Sequence, residues 1–224
     1  DLSLMAGSET TLVLVPPILV TQWCKWLRKF TGSVVDYRGT PGQRKALKLK
    51  GQRWVVMTHG VFRKDFNRIE EDFIITELEI IVDEAQALKN VSSVLYKYVA
   101  RLSKDRRLQL LTGTPTSQPT DAYAYIKLKT PSIYRTLGHF ESLHIAEKDY
   151  FGGVTEWRNL DQVRRNLALS TVKRTKEELF GYDLKPIFPD GEYELSPQHM
   201  KLYNQLVEEQ LLLLPDDQKI DATT

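Results

Sequence analysis

Leu78 to Asn90 reads LEIIVDEAQALKN. Ile80, Ile81 and Val82 form an apolar run without alternation, and the run ends on two adjacent carboxylates, Asp83 and Glu84, followed by a polar turn. A strand that is apolar on both faces is one covered on both faces, as strands of parallel α/β sheets are. Ligands of such sheets sit in the crevice beyond the strand C-termini. The pattern therefore predicts a buried strand that delivers Asp83 and Glu84 to the rim of a sheet. Taken alone, an Asp-Glu pair is usually no more than a solvated strand end.

A second apolar run changes that balance. Leu108 to Pro115 reads LQLLTGTP and ends in Thr112, Gly113 and Thr114. It lies about one helix and one strand downstream, the interval a repeating α/β sheet requires. Two acids at such a rim can divide the work of phosphoryl transfer. Asp83 would fix a Mg2+ ion through its water shell, and Glu84 would orient or deprotonate an attacking water.

The strings VDEAQALKN and LLTGTP resemble motifs II and III of superfamily-two helicases, and their wording is closest to the Swi/Snf branch of DNA translocases. Thr11 to Trp23 (TLVLVPPILVTQW) is similar to motif Ia of that branch, Val34 to Arg44 (VVDYRGTPGQR) to its tyrosine, glycine and arginine signature, and Val55 to Asp65 (VVMTHGVFRKD) to motif Ib. Lys173 to Leu179 (KRTKEEL) and Tyr193 to Tyr203 (YELSPQHMKLY) resemble segments that follow motif III. The ordered matches cover most of the chain.

The resemblance implies an α/β, RecA-like fold, with a mostly parallel sheet, helices on both faces and a C-terminal helical appendage. It implies ATP and Mg2+ as cofactors, DNA, in duplex form, as partner, and a second RecA-like lobe that completes the site. Asp83 would hold the metal, Glu84 would position water, and Gln86, standing where the family commonly has histidine, would contact the phosphate end or the opposite lobe. Thr112 and Thr114 would sense the nucleotide state. Pro16, Pro17, Gln22 and Lys25 would lie along the nucleic-acid backbone, as would Thr58, His59 and Gly60. A hydroxyl, an imidazole and exposed amides at a strand end are also suitable phosphate donors on their own chemistry. The chain departs from the family at Gln118, where asparagine is usual, and Pro119 adds to the sense of a variant loop. The basic knot of Lys173, Arg174 and Lys176 could brace the lobe or touch nucleotide or DNA.

At 224 residues there is room for one substantial α/β domain and an appendage, since domains commonly run to about 100 to 200 residues. The expected organisation is a partial first lobe over 1–130, a helical insertion packed on it over 131–190, and a last strand and helix over 191–224 leading toward the second lobe. Hydrophobic residues make up 42% and charged ones 27%, which argues against disordered and membrane classes. No apolar run approaches the roughly 20 residues a bilayer span needs, and an intracellular protein, cytoplasmic or of the nucleoid or nucleus, is expected. The single cysteine, Cys24, reads as a packed thiol on an amphipathic helix, and the four histidines show no metal-ligand spacing. The net charge of +2 conceals an asymmetry: residues 21–70 hold twelve Lys and Arg against three Asp and Glu, and residues 190–224 hold two against eight. The basic band suits phosphate, or simply solvates a helix face.

No GxxxxGK[ST] loop occurs in the sequence. In the family that loop precedes motif Ia, so Asp1 is expected to be a truncation and the chain alone to be nearly inactive. Two other classes remain open at this stage. One is a non-catalytic DNA-binding or scaffolding descendant of such a motor; the other is the translocase module of a restriction or repair enzyme.

Along the chain, a helix over Ile18 to Phe30 is expected to turn Leu19, Trp23, Trp26, Leu27 and Phe30 inward. A buried strand is expected over Thr11 to Val15, ended by Pro16 and Pro17, and further strands over Ser33 to Tyr37 and Trp54 to Thr58. Arg38, Arg44, Lys45, Lys48 and Lys50 form a phosphate-binding or solvated group between the latter two. A helix carrying Val94, Leu95, Tyr98, Val99 and Leu102 precedes LQLLTGTP, and another follows over Asp121 to Lys129. Tyr150, Phe151 and Trp157 are expected in the core of the helical insertion. Glu192 to Leu195 reads as a strand, and Ser196 as the cap of a helix from Pro197 to Leu214.

Overall fold

The computed structural model describes residues 9–31, 33–74, 77–175, 178, 181, 195–209, 211–213 and 219–221. Asp1–Val172 form one compact unit and Lys173–Thr224 a second.

Five strands of the first unit, β1 (Thr10–Val15), β2 (Val35–Asp36), β3 (Trp54–Thr58), β4 (Leu78–Asp83) and β5 (Arg107–Leu111), make one parallel sheet in the order β2-β3-β1-β4-β5. The chain winds outward from β1 to β2, returns through β3, and then crosses β1 to reach β4 and β5. The winding reverses beside β1, so the carboxyl ends of β1 and β4 flank the position where open α/β sheets bind ligands.

The apolar runs of β1 and β4 are explained by burial on two sides. Leu12, Leu14, Ile80 and Val82 belong to one core, and Val13, Val15 and Ile81 to another. On the first face α3 (His59–Lys64), α4 (Phe66–Asp72) and α5 (Val94–Leu102) insert Phe62, Phe66, Ile69, Val99 and Leu102. On the second, α1 (Val20–Thr31) inserts Val20, Cys24 and Leu27. Each such side chain contributes roughly 1.5 to 3 kcal/mol when fully buried. The inward stripe of α1 is rotated from the expected one: Trp26 and Phe30 are 43% and 59% exposed. Val20, Cys24 and Leu27 take the buried positions beside Val13, Val15 and Val56, and Trp26 and Phe30 fall on the flank. The strand expected over Ser33 to Tyr37 pairs only at Val35–Asp36, on the sheet's edge. Ser93 caps α5 by accepting the Tyr96 amide, and Val94 is exposed rather than inward.

Helix α6 (Pro119–Lys129) joins two cores, giving Ala124 and Tyr125 to the main one and Ala122, Tyr123 and Ile126 to a third with Tyr134, Phe140 and Val163. The segment expected to be helical contains α7 (Leu137–His144) and α8 (Leu160–Ala168), with a hairpin of β6 (Ile145–Lys148) and β7 (Val154–Trp157) between them. Tyr150 and Phe151 are at its tip, 96% and 92% exposed, and not in the core; Trp157 is half-buried. The turn accounts for this. Asp149 Oδ1 accepts the amides of Phe151 and Gly153 at 2.9 and 2.7 Å, and Gly152 takes φ +85°, which leaves both rings outside the two-stranded ribbon.

In the second unit, α9 (Pro197–Glu209) begins as expected, with Ser196 Oγ accepting the His199 amide at 3.3 Å. It stops at Glu209 and not at Leu214; β8 (Leu211–Leu213) pairs antiparallel with β9 (Lys219–Asp221). Residues 1–8, Lys176 and the expected strand, apart from Leu195, lie outside the described residues.

Candidate active site

Asp83 at the end of β4 is level with Leu111 at the end of β5, and beyond that level the two loops are bonded through their side chains. The Thr112 hydroxyl donates to Gln86 Oε1 at 2.8 Å, and Gln86 Nε2 donates to Glu84 Oε2 at 2.7 Å. Thr112 Oγ1 accepts the Thr114 amide at 3.1 Å. Glu84, Gln86 and Thr112 are thus brought into one connected group, which Asp83 joins through the Glu84 amide and Thr114 through its own. Glu84 itself sits at φ 50°, ψ 53°, in the left-handed region. Such a conformation costs a non-glycine residue about 1 to 3 kcal/mol and is concentrated at functional sites.

The Asp83 carboxylate is held at both oxygens. Trp23 Nε1 donates to Oδ2 at 2.7 Å, and the Glu84 amide donates to Oδ1 at 2.9 Å. Trp23, which reads as a core residue in the sequence, is therefore a partner of the rim acid as well. His59 Nε2 lies 3.1 Å from the Asp83 carbonyl oxygen. Burial pushes the His59 imidazole below its ordinary value, although the carbonyls of Asp83 and Leu14 oppose that. Thr58 Oγ1 accepts the Val61 amide at 3.1 Å, capping α3, and Gly60 is half-buried in the first turn of that helix.

Pro16 and Pro17 carry the chain out of β1 into a 3-10 turn, and Gln22 and Lys25 are exposed on α1. Gln22, Trp23, Trp26 and Asp83 line a cavity of about 340 Å³. Among the described residues no three His, Cys, Asp or Glu side chains converge as an all-protein metal cage. Asp83 offers hard oxygen donors, and each oxygen has a lone pair beyond the bond it accepts. That donor set suits Mg2+, which takes one or two carboxylates and retains water.

A second tie between the loops was not singled out by sequence. Lys89 Nζ is 3.1 Å from Asp121 Oδ2 and 2.9 Å from Ser117 Oγ. Asp121 also accepts the amide and hydroxyl of Ser117 at 2.7 and 2.8 Å. Burial alone would raise the Asp121 carboxyl, but Ser117, Lys89 and Gln118 together hold it below the usual carboxylate range. The usable signal was the Gln118-to-Asp121 spacing of a helix cap, which the structure forms.

Of the basic group after β2, Arg44 is neither a solvated residue nor a phosphate contact. It is 6% exposed and clasps Asp65 through Nε and Nη2 at 2.6 and 3.0 Å, while Nη1 donates to the Gly39 carbonyl at 2.6 Å. The Arg44 guanidinium holds the Asp65 carboxyl below its usual range, and the Tyr37 hydroxyl, donating to Asp65 Oδ2 at 2.9 Å, adds to this.

A family model for the SNF2-related domain matches residues 3–223. The chain belongs to the SNF2-related domain family. This SNF2-related domain is 26% identical over 195 residues to "DNA repair protein RAD5" of Candida glabrata, covering 75% of this chain and 16% of that protein. It is 27% identical over 205 residues to an "Uncharacterized ATP-dependent helicase" of Mycoplasma pneumoniae, covering 87% and 18%. The chain therefore spans 16 to 18% of the length of these curated relatives. The solved Sulfolobus solfataricus SWI2/SNF2 ATPase core in complex with dsDNA matches with a TM-score of 0.60 at 21% identity, over 79% of this chain and 36% of that one. The fold is RecA-like α/β. No helix among the described residues is long and apolar enough to cross a membrane.

Proposed function

We propose that this chain is part of the first motor lobe of an ATP-dependent DNA translocase, in which ATP hydrolysis at the β4–β5 rim drives movement on duplex DNA. The carrying observation is the bonded group of Glu84, Gln86 and Thr112, which joins an acid at one strand end to a hydroxyl at the next. Asp83 would hold Mg2+, whose charge would offset that of the phosphates. Glu84, oriented by Gln86, would position and accept a proton from the attacking water. A displacement of Gln86 or Thr112 on change of nucleotide would be felt by both loops, since each bonds across the gap.

The family supports ATP use; the Mycoplasma relative is an ATP-dependent helicase, and the Sulfolobus ATPase core is bound to dsDNA. Among the candidate DNA contacts, α1 is the better-placed surface. Gln22 and Lys25 are exposed there beside Pro16 and Pro17, whereas Thr58 and His59 have polar atoms engaged internally and Gly60 is half-buried. Glu84→Gln in the intact protein tests the reading. ATP binding is expected to persist while DNA-stimulated hydrolysis falls by about 10² to 10⁴, the range of a lost general base; near-normal hydrolysis rejects the role given to Glu84.

A further inference from the structure

We propose that Trp23 is a positioning residue for Asp83: its indole N–H fixes the carboxylate in the orientation that receives the cation, and fastens it to α1. This rests on the reading of Asp83 as the metal acid. Three observations carry it. The bond from Trp23 Nε1 to Asp83 Oδ2 is 2.7 Å, the length of a charge-assisted hydrogen bond. It spans 60 positions of sequence and joins a helix on one face of the sheet to the rim of its neighbouring strand. The donor is also braced. Trp23 packs against the α1-side core, and Trp26 meets it edge-on with ring centroids 6.1 Å apart. A ring held on two sides presents its single N–H in one direction.

The arrangement follows from the rotation of α1. With Val20, Cys24 and Leu27 against the sheet, Trp23 falls on the flank of the buried stripe, where it reaches the end of β4. The second carboxylate oxygen is fixed by the Glu84 amide at 2.9 Å. Two neutral donors therefore hold the carboxylate plane, and each oxygen keeps a lone pair. One of these donors sits on the same helix as Gln22 and Lys25, so a shift of Asp83 on loading is passed directly to that helix.

The first test is the proton–nitrogen spectrum of the labelled protein, in which the four tryptophans give four indole signals. Asp83→Asn should move one of the four upfield, and Trp23→Phe identifies that one as the Trp23 signal; four signals that all stay in place overturn the proposal even if Trp23→Phe folds poorly. The second test is Mn2+ binding, followed by electron paramagnetic resonance. Trp23→Phe is expected to weaken binding about 10-fold, the lower end for loss of a group that orients a metal ligand, measured under conditions where the variant remains folded. Binding lost in Asp83→Asn but equal in Trp23→Phe and wild type overturns the proposal alone. Absent Mn2+ binding in the wild type, or binding that Asp83→Asn leaves unchanged, overturns the proposal together with the metal reading.

Discussion

Asp65 and Asp83 are carboxylates of the same compact unit that are treated in opposite ways. Asp65 is clasped through both oxygens by the buried guanidinium of Arg44, with the Tyr37 hydroxyl as a third donor. Asp83 and Glu84 receive hydrogen bonds from an indole, a backbone amide and a side-chain amide, and no cationic side chain pairs with either among the described residues. A charge answered inside the protein holds the fold together. A charge that is oriented by neutral donors and left unanswered at a sheet rim is available to something brought from outside. Glu84 is also held in the left-handed region, as Asp105 and Asn159 are elsewhere, and at the rim such strain is of the kind that gathers at functional sites.

The contrast predicts which substitutions unfold the protein. Arg44→Met should cost about 3 kcal/mol or more, since it strands a partly buried carboxylate, and urea unfolding would measure the loss. The double variant Arg44→Met, Asp65→Leu should recover much of it. A loss under about 1 kcal/mol in the single variant, the range of an exposed pair, would break the comparison on its structural side.

A smaller effect is expected from pH. Burial holds both His59 and His144 below the ordinary imidazole value. His144 is fully buried, with Nε2 2.8 Å from the Tyr134 hydroxyl. An unfolded histidine titrates near about 6.5, so below that pH the unfolded chain binds more protons than the folded one. The stabilisation is whole above about 6.5 and is lost as pH falls from there toward the lowered folded values. Asp65, depressed by Arg44, gives up its share only at more acidic pH, below about 3.9 and through its own lowered value. Unfolding midpoints between pH 7.5 and 5.5 should therefore decline, and His144→Gln should flatten the decline. An unchanged slope in that variant would place the protonation elsewhere.

Much of this was legible in sequence because burial on both faces leaves an unmistakable trace. The runs at Leu12 to Val15 and Ile80 to Val82 announced central strands, and Asp83 and Thr112 fall at neighbouring rims because β4 and β5 are parallel neighbours. Period alone was less informative where several apolar stripes compete. Helix α1 offers two, and the sheet buries the one that carries Val20, Cys24 and Leu27. Tyr150 and Phe151 look like core by composition, yet a turn built on Asp149 decides their exposure. The partners of Trp23, Lys89 and Arg44 lie 60, 32 and 21 positions away. Nothing local marks such pairs; the assembled sheet creates them.

The most direct measurement is to place Asp83→Asn in the intact protein and record urea unfolding and DNA-stimulated ATP hydrolysis on the same preparation. If the rim acid serves a metal-bound triphosphate and not chiefly the fold, hydrolysis should drop by about 10² or more, in line with the loss of a principal charge-stabilising group, while the unfolding free energy changes by no more than about 1.5 kcal/mol, the scale of an ordinary hydrogen bond. Wild-type hydrolysis, or a stability loss comparable to that of Arg44→Met, would contradict the account.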